Sequence, residues 1–158
     1  MLNPTEFCDH SETLYQSDNL SAVDMKTYLS RLAGAVVQNY SIGSTVNVIV
    51  KVKDISIGAK QASPVGLIVN ELITNSFKYA FPDNQEGEIK INLQQKENQI
   101  ELEYFDNGVG MPEGFDWKNS STLGHKLVRT LVENQLDGFI DMESKNGTKF
   151  TIKFNIET

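Results

Sequence analysis

The chain reads as an α/β two-layer sandwich, one mixed and mostly antiparallel sheet with helices packed on a single face. Three observations predict it. An aliphatic stripe at helical spacing runs through Pro64 to Phe81. Two pairs of segments alternate apolar and polar residues, as antiparallel strands with one buried face do. Helical and strand segments are interspersed without the strict strand-helix-strand alternation of a parallel sheet. The sheet's second face is then left exposed or partnered.

In chain order, residues 1–20 are polar and mixed, with a short apolar patch at Leu14 and Tyr15 that resembles the tail of a helix. Ser21-Ala-Val-Asp24 reads as a capping-box variant. It opens a helix whose core stripe is Tyr28, Leu29, Leu32, Ala33, Val36 and Tyr40, broken at Ile42-Gly43-Ser44. Val46–Val52 is β-branched and predicts a strand, with a short companion at Ile55–Ile57. Gly58–Ser63 reads as a loop. Ser63 and Pro64 then start the long helix, Pro64 at the first helical position where a missing N–H is harmless, and Pro82 stops it. Val65, Ile68, Val69, Leu72, Ile73, Ser76, Phe77 and Ala80 form its buried stripe.

Glu88–Gln95 and Gln99–Phe105 predict a hairpin turning near Glu97-Asn98. The second strand runs straight into Asp106-Asn-Gly-Val-Gly-Met-Pro112. Gly114–Ser121 lacks periodicity and is expected to be mobile unless covered, with Phe115 and Trp117 tacking it down. Leu123–Asn134 is a helix with Leu127, Val128, Leu131 and Val132 inward. Phe139–Glu143 and Thr148–Ile156 close the fold around a turn at Lys145-Asn146-Gly147.

Composition bounds the function. At 158 residues, 39% of them hydrophobic and 22% charged, the chain suits one well-buried globular domain. No run approaches the ~18 apolar residues of a membrane span, and the first residues lack the features of a signal peptide, so a cytoplasmic setting without membrane contact is expected. Cys8 is the one cysteine, which excludes an internal disulfide. A net charge of −7, without clustered Lys and Arg, argues against nucleic-acid binding. A small anion remains possible where cations are local, as at Lys78, His125, Lys126 and Arg129.

Three features carry candidate chemistry. On the long helix, Glu71, Asn75 and Lys78 share a face apart from the aliphatic stripe. A carboxylate could orient or deprotonate a group, an amide oxygen suits a hard cation such as Mg²⁺, and an ammonium meets an anion. The same trio also fits the solvated face of a surface helix. At the end of a strand, Asp106-x-Gly108-x-Gly110 offers an acceptor for an exocyclic amine such as adenine's, beside backbone that a ligand can approach closely. Asp-Asn-Gly is equally an ordinary turn. Gly124 leads a helix whose free N–H groups form a seat for phosphate, with His125, Lys126 and Arg129 in its first turns. Gly124 alone also reads as a simple cap.

In combination and in this order, the sequence resembles the ATP-binding domain shared by sensor histidine kinases, the 90-kDa heat-shock chaperones, type II topoisomerases and mismatch-repair ATPases. The resemblance rests on Asn70-Glu71-Leu-Ile-Thr-Asn75-Ser-Phe-Lys78-Tyr79-Ala80, on Asp106-Asn-Gly108-Val-Gly110-Met-Pro, on Leu123-Gly124, and on Gly147-Thr148-Lys-Phe150. It covers about residues 10–157. Leu14–Ser21, Asn70-Glu-Leu-x-Thr-Asn75-x-x-Lys78-Tyr79-Ala80-Phe81 and Leu123-Gly-x-Lys-Leu-Val128 are similar to a subgroup of bacterial and archaeal sensor kinases with an atypical dimerisation region.

The resemblance implies that Asn75 coordinates Mg²⁺ on the phosphates of ATP, while Glu71 orients the metal's water or assists proton removal from an acceptor histidine. Lys78 would contact phosphate, and Tyr79 would flank the nucleotide. Asp106 would read the adenine amine with support from Thr148. Gly108 and Gly110 would admit the nucleotide, Met111 through Leu123 would form a lid, and Gly124, His125 and Lys126 would seat the phosphates. Position 125 is usually apolar in that family and is His here.

It further implies that residues 1–20 are the remnant of an upstream dimerisation helix and linker, and that 21–158 are the catalytic domain. The acceptor histidine would lie outside this chain, since His10 falls where relatives carry the end of that helix. A response regulator would be the downstream partner. Two other readings stay open at this stage: a nucleotide-sensing regulatory module, and a serine kinase that inhibits a transcription factor by binding it.

Overall fold

The computed structural model describes residues 22–40, 45–82, 86–119 and 123–157. The expected dimerisation remnant, His10, Cys8, the Ser21 cap and the break at residues 42–44 lie outside these.

Among the described residues, five strands form the main sheet. They are β2 (Val46–Val52), β4 (Gly87–Lys96), β5 (Gln99–Asp106), β7 (Thr148–Asn155) and β6 (Phe139–Glu143), and they lie side by side in that order. Only β2 and β4 run parallel. The α/β sandwich with a mixed, mostly antiparallel sheet is therefore what the chain forms. A separate two-residue pair joins β1 (Val23–Asp24) to β3 (Ser56–Ile57). The short segment after Val52 thus pairs with the entrance to the first helix and stays out of the main sheet.

The layering follows from residue parity. Ile89, Ile91 and Leu93 on β4, Ile100, Leu102 and Tyr104 on β5, and Phe150, Ile152 and Phe154 on β7 all point to the helices and are buried. Each such side chain taken from water stabilises by roughly 1.5–3 kcal/mol. Against them pack α1 (Met25–Tyr40), through Met25, Leu29, Ala33 and Val36, and α2 (Ala59–Asn75), through Val65, Ile68, Val69, Leu72 and Ile73. The opposite face carries Glu101 with Lys153 at 3.5 Å and Glu103 with Lys149 at 3.0 Å. It is a wet face, and such exposed pairs contribute little.

The first helix begins at Met25, and the Asp24 carboxylate before it accepts the backbone N–H groups of Lys26 (3.1 Å) and Thr27 (3.5 Å), satisfying amides the helix leaves free. Two features depart from expectation. The long helix begins at Ala59 rather than Pro64, so the stretch read as a loop is helical. Its first turn is anchored by tertiary contacts. Buried Gln61 donates through Nε2 to the Asn155 carbonyl (2.9 Å) and accepts the Glu157 amide through Oε1 (3.1 Å), tying the helix to the end of β7. Pro64 then sits inside the helix, where packing outweighs the hydrogen bond it cannot donate. Finally, Leu127 on α3 (Leu123–Thr130) is partly exposed, while Val128, Leu131 and Val132 are buried as expected. The helical path continues past α3 as a wider turn over Leu131–Gln135.

The predicted turns hold. Glu97 and Asn146 have left-handed φ of 57° and 55°, as tight hairpin corners require.

Candidate functional site

At the end of the sheet where β5 stops and β7 begins, Asp106 and Thr148 are register partners. Parity places Asp106 on the same inward face as Ile100, Leu102 and Tyr104, so a carboxylate sits where the pattern calls for a core residue. Only 4% of Asp106 is exposed.

Above it, α2 does not end at Asn75. It widens into a π-helical turn over Ser76–Ala80 before Phe81 and Pro82. Such turns change which side chains face the same way and recur at functional sites. Here Glu71, Asn75, Ser76, Lys78 and Tyr79 all line one cleft of about 470 Å³. Tyr104, Asp106, Gly110, Met111, Gly124, His125, Thr148 and Phe150 form the rest of its wall. Of the residues singled out from the sequence, Glu71, Asn75, Lys78, Tyr79, Asp106, Gly110, Met111, Gly124, His125 and Thr148 therefore meet in one place.

Two others stand apart. Gly108 is off the cleft wall and lies under the Ala80 carbonyl, which also accepts the Val109 amide at 2.9 Å. Lys126 is exposed and does not line the cleft. Leu123 is the first residue of α3.

Gly124 has a steric reason to be glycine. A Cβ there would come within 2.9 Å of Asn75 Nδ2, so any side chain at this position would push the Asn75 amide out of its present place in the cleft. The loop leaving β5 is pinned on both sides. Asn107 Oδ1 accepts the Glu88 amide (2.8 Å), and Ser144 Oγ accepts the Met111 amide (2.7 Å).

Beyond Met111 the chain folds back onto α3. Trp117 is buried, edge-on to Phe150 with ring centres 5.4 Å apart, and its carbonyl accepts Arg129 Nη1 at 2.6 Å. His125 meets the rings of Phe115 and Trp117 at 5.9 and 6.4 Å. Phe115 and Trp117 thus do tack this segment down. Burial, and then the nearby Arg129 charge, push the His125 pKa below its ordinary 6.5.

The floor of the cleft holds a polar chain the sequence reading missed. Ser76 Oγ stands 2.7 Å from Asp106 Oδ2 and 2.6 Å from the Tyr104 hydroxyl, which lies 3.0 Å from the Leu72 carbonyl. The Gly108 amide donates to Asp106 Oδ1 at 3.1 Å. A signal for this existed: Ser76 sits in an otherwise apolar helical stripe, and Tyr104 and Asp106 follow the inward parity of β5.

Burial raises the Asp106 carboxyl above its usual range, against the donations from Ser76, Gly108 and the Thr148 backbone. A carboxylate whose folded-state pKa is raised above its unfolded value lowers stability while ionised. That loss is relieved as pH falls through the folded-state pKa. Asp106→Asn is therefore expected to melt no lower than wild type at pH 7, with any advantage shrinking on acidification. Thermal melts from pH 4 to 8 check this, and a clear drop in Tm at neutral pH would contradict it.

The sequence profile of the histidine kinase-, DNA gyrase B- and HSP90-like ATPases matches residues 60–158. The chain belongs to this ATPase family. Within it, the chain is 31% identical over 113 residues to blue-light-activated histidine kinase 2 of Erythrobacter litoralis, covering 70% of this chain and 32% of that protein. It is 31% identical over 96 residues to the sensor histidine kinase PdtaS of Mycobacterium tuberculosis, covering 59% of this chain and 19% of that one.

The chain thus spans a third or less of these curated relatives, at 32% and 19% of their lengths. Among solved structures, the histidine kinase domain from the Erythrobacter litoralis EL346 blue-light-activated kinase superposes with a TM-score of 0.77 at 28% identity, covering 85% of this chain and 66% of that one. The catalytic domain of histidine kinase ThkA shares the fold at a TM-score of 0.71 and 16% identity, covering 86% of this chain and 96% of that domain. No described helix is long and apolar enough to cross a membrane.

Proposed function

We propose that this ATPase-family domain binds Mg-ATP in the 470 Å³ cleft and transfers the γ-phosphate to a histidine outside residues 1–158, as the catalytic part of a sensor histidine kinase. The observation that carries it is the meeting of the buried Asp106 acceptor with Glu71 and Asn75 across one cleft. Asp106 would accept the adenine amine, with Thr148 beside it. Lys78, Gly124 and His125 would face the phosphates, with Lys126 near them, and Tyr79 would flank the nucleotide. Leu123 would close the lid that starts at Met111. Gly108 and Gly110 would shape the loop the nucleotide passes.

The donor set fits Mg²⁺ bound together with a nucleotide. Asn75 offers one hard amide oxygen, Glu71 stands one helical turn before it, and among the described residues no three carboxylate, His or Cys groups could hold a metal by themselves. When bound, the ion would neutralise developing phosphate charge. The protein's own work is then positioning, with Glu71 taking the acceptor's proton or orienting water. The partners of this reading are a histidine-bearing dimerisation region and a response regulator.

Calorimetric titration with ATP, ADP and GTP, with and without Mg²⁺, tests it. The expected result is adenine-selective binding that Asp106→Asn weakens by roughly ten- to a hundredfold, the loss of one hydrogen bond to a charged acceptor. Equal affinity for all three nucleotides would remove the basis for the reading.

One finding favours a second reading. The chain is also 26% identical over 105 residues to the anti-sigma F factor of Clostridium beijerinckii, covering 61% of this chain and 73% of that protein. A serine kinase would leave acid-stable phosphate on its target, whereas phosphohistidine is acid-labile, so acid treatment of labelled product separates the two.

A further inference from the structure

We propose that Ser76, set between Tyr104 and Asp106, holds the Asp106 carboxylate as a pure acceptor and so makes the cleft select a 6-amino purine over a 6-oxo purine. The inference rests on the nucleotide reading above and goes beyond it by assigning a positioning and specificity role to residues outside the expected motif roles.

The argument is a count of protons. Three short contacts link Leu72 O, Tyr104 Oη, Ser76 Oγ and Asp106 Oδ2, at 3.0, 2.6 and 2.7 Å. The two hydroxyls supply two protons for them. With Asp106 ionised, both protons turn toward the carboxylate: Tyr104 donates to Ser76, and Ser76 donates to Asp106. The Leu72 carbonyl loses nothing essential, because it already accepts the Ser76 amide within the helix. With Asp106 protonated, the chain reverses. Asp106 donates to Ser76, Ser76 to Tyr104 and Tyr104 to Leu72, and all three contacts are filled.

The two directions present different chemistry to a purine. An ionised carboxylate only accepts, which matches the amine on C6 of adenine and repels the carbonyl on C6 of hypoxanthine or guanine. A protonated carboxyl has lost much of that preference. Ser76 favours the first state by donating to the charged oxygen, and Tyr104 favours the second by offering Ser76 a rival acceptor.

Opposite effects follow from the two hydroxyl deletions. Ser76→Ala removes the donor that pulls the buried carboxyl back toward its ordinary range. ATP binding should then fail at a higher pH than in wild type. Tyr104→Phe removes the rival acceptor, so Ser76 can donate only to Asp106 and ATP binding should persist to lower pH. The other groups around Asp106 are the Gly108 and Thr148 backbones, while Glu71, Lys78 and His125 line the same cleft. Any titration of these that acts on the phosphates cancels in a ratio of two triphosphates.

The test measures Kd for ATP and for inosine triphosphate, which carries oxygen where ATP carries the amine, on wild type, Ser76→Ala and Tyr104→Phe between pH 5.5 and 8. The expected result is an ATP preference that falls away at higher pH in Ser76→Ala than in wild type, by roughly tenfold where the two profiles differ most, the scale of a hydrogen bond to a charged group, and that persists to lower pH in Tyr104→Phe. A Ser76→Ala ratio within twofold of wild type at every pH from 5.5 to 8 overturns the proposal. So does a Tyr104→Phe ratio that falls with it, since that is what loosened packing alone would give. If Ser76→Ala does not fold, the Tyr104→Phe ratio and pH profile decide by the same criterion. Wild-type protein that binds neither triphosphate overturns the nucleotide reading itself, and the proposal with it.

Discussion

Replacing Glu71 with alanine is expected to lower phosphoryl transfer to a supplied histidine-bearing region at least about a hundredfold, while the Kd for ATP stays within about threefold. A positioned general base typically contributes 10²- to 10⁴-fold. Glu71 is half-buried on α2, one turn before Asn75 and on the wall of the same cleft. In the proposed reading it would act on the reacting end of a nucleotide whose base lies toward Asp106. Removing it takes away a proton acceptor or water-orienting group without touching the groups proposed to bind adenine. Glu71→Gln keeps the shape and removes the basicity, so it should be nearly as impaired. Single-turnover transfer with radiolabelled ATP measures both variants, and full transfer by Glu71→Gln would rule out a proton-accepting role.

Gly147→Ala is the second large effect. Gly147 has φ of 117°, and a Cβ there would collide with the Asp106 backbone carbonyl. The unfavourable φ alone costs on the order of 1–3 kcal/mol. The collision adds to it, because backbone held in a sheet ladder between β5 and β7 cannot swing aside as a flexible side chain can. A loss of about 3 kcal/mol or more is expected, roughly a 10 °C fall in Tm for a domain of this size. Adenine-nucleotide binding should weaken as well, since the displaced strand end carries Asp106. Gly114 is the control: its φ of 77° is also left-handed, but nothing stands within 4 Å of its added Cβ. Gly114→Ala should lose only about 1–2 kcal/mol. Equal melting of the two variants would show that the contact between Gly147 and Asp106 carries no weight.

Much of this was legible in residue order. Period-two alternation gave the β4–β5 hairpin and its turn, and the aliphatic stripe gave the buried face of α2, because both report a local geometry repeated over many residues. Asp106, Asn75 and Gly124 could be singled out from the sequence only in combination, because each has an ordinary reading by itself as a turn, a solvated helix face or a cap; the fold brings the three to one cleft. Local reading failed where a remote partner decided the outcome. The first turn of α2 looked like a loop because its anchor, Gln61, bonds to backbone more than ninety positions away, at Asn155 and Glu157. Leu127 looked like core by spacing, yet it is partly exposed at the surface of α3.

The amino-acid sequence by itself therefore determined which layers form, which faces they bury and which functional groups the chain carries, since periodicity and side-chain chemistry are properties of short segments. Only the tertiary structure decided that Ser76 and Tyr104 stand under Asp106, that Gly124 lies against Asn75, and that Gly108 and Lys126 stay off the cleft wall. Those relations join residues tens of positions apart. They are set by strand register and by the widened turn after Asn75, which exist only once the sheet and helices have packed together.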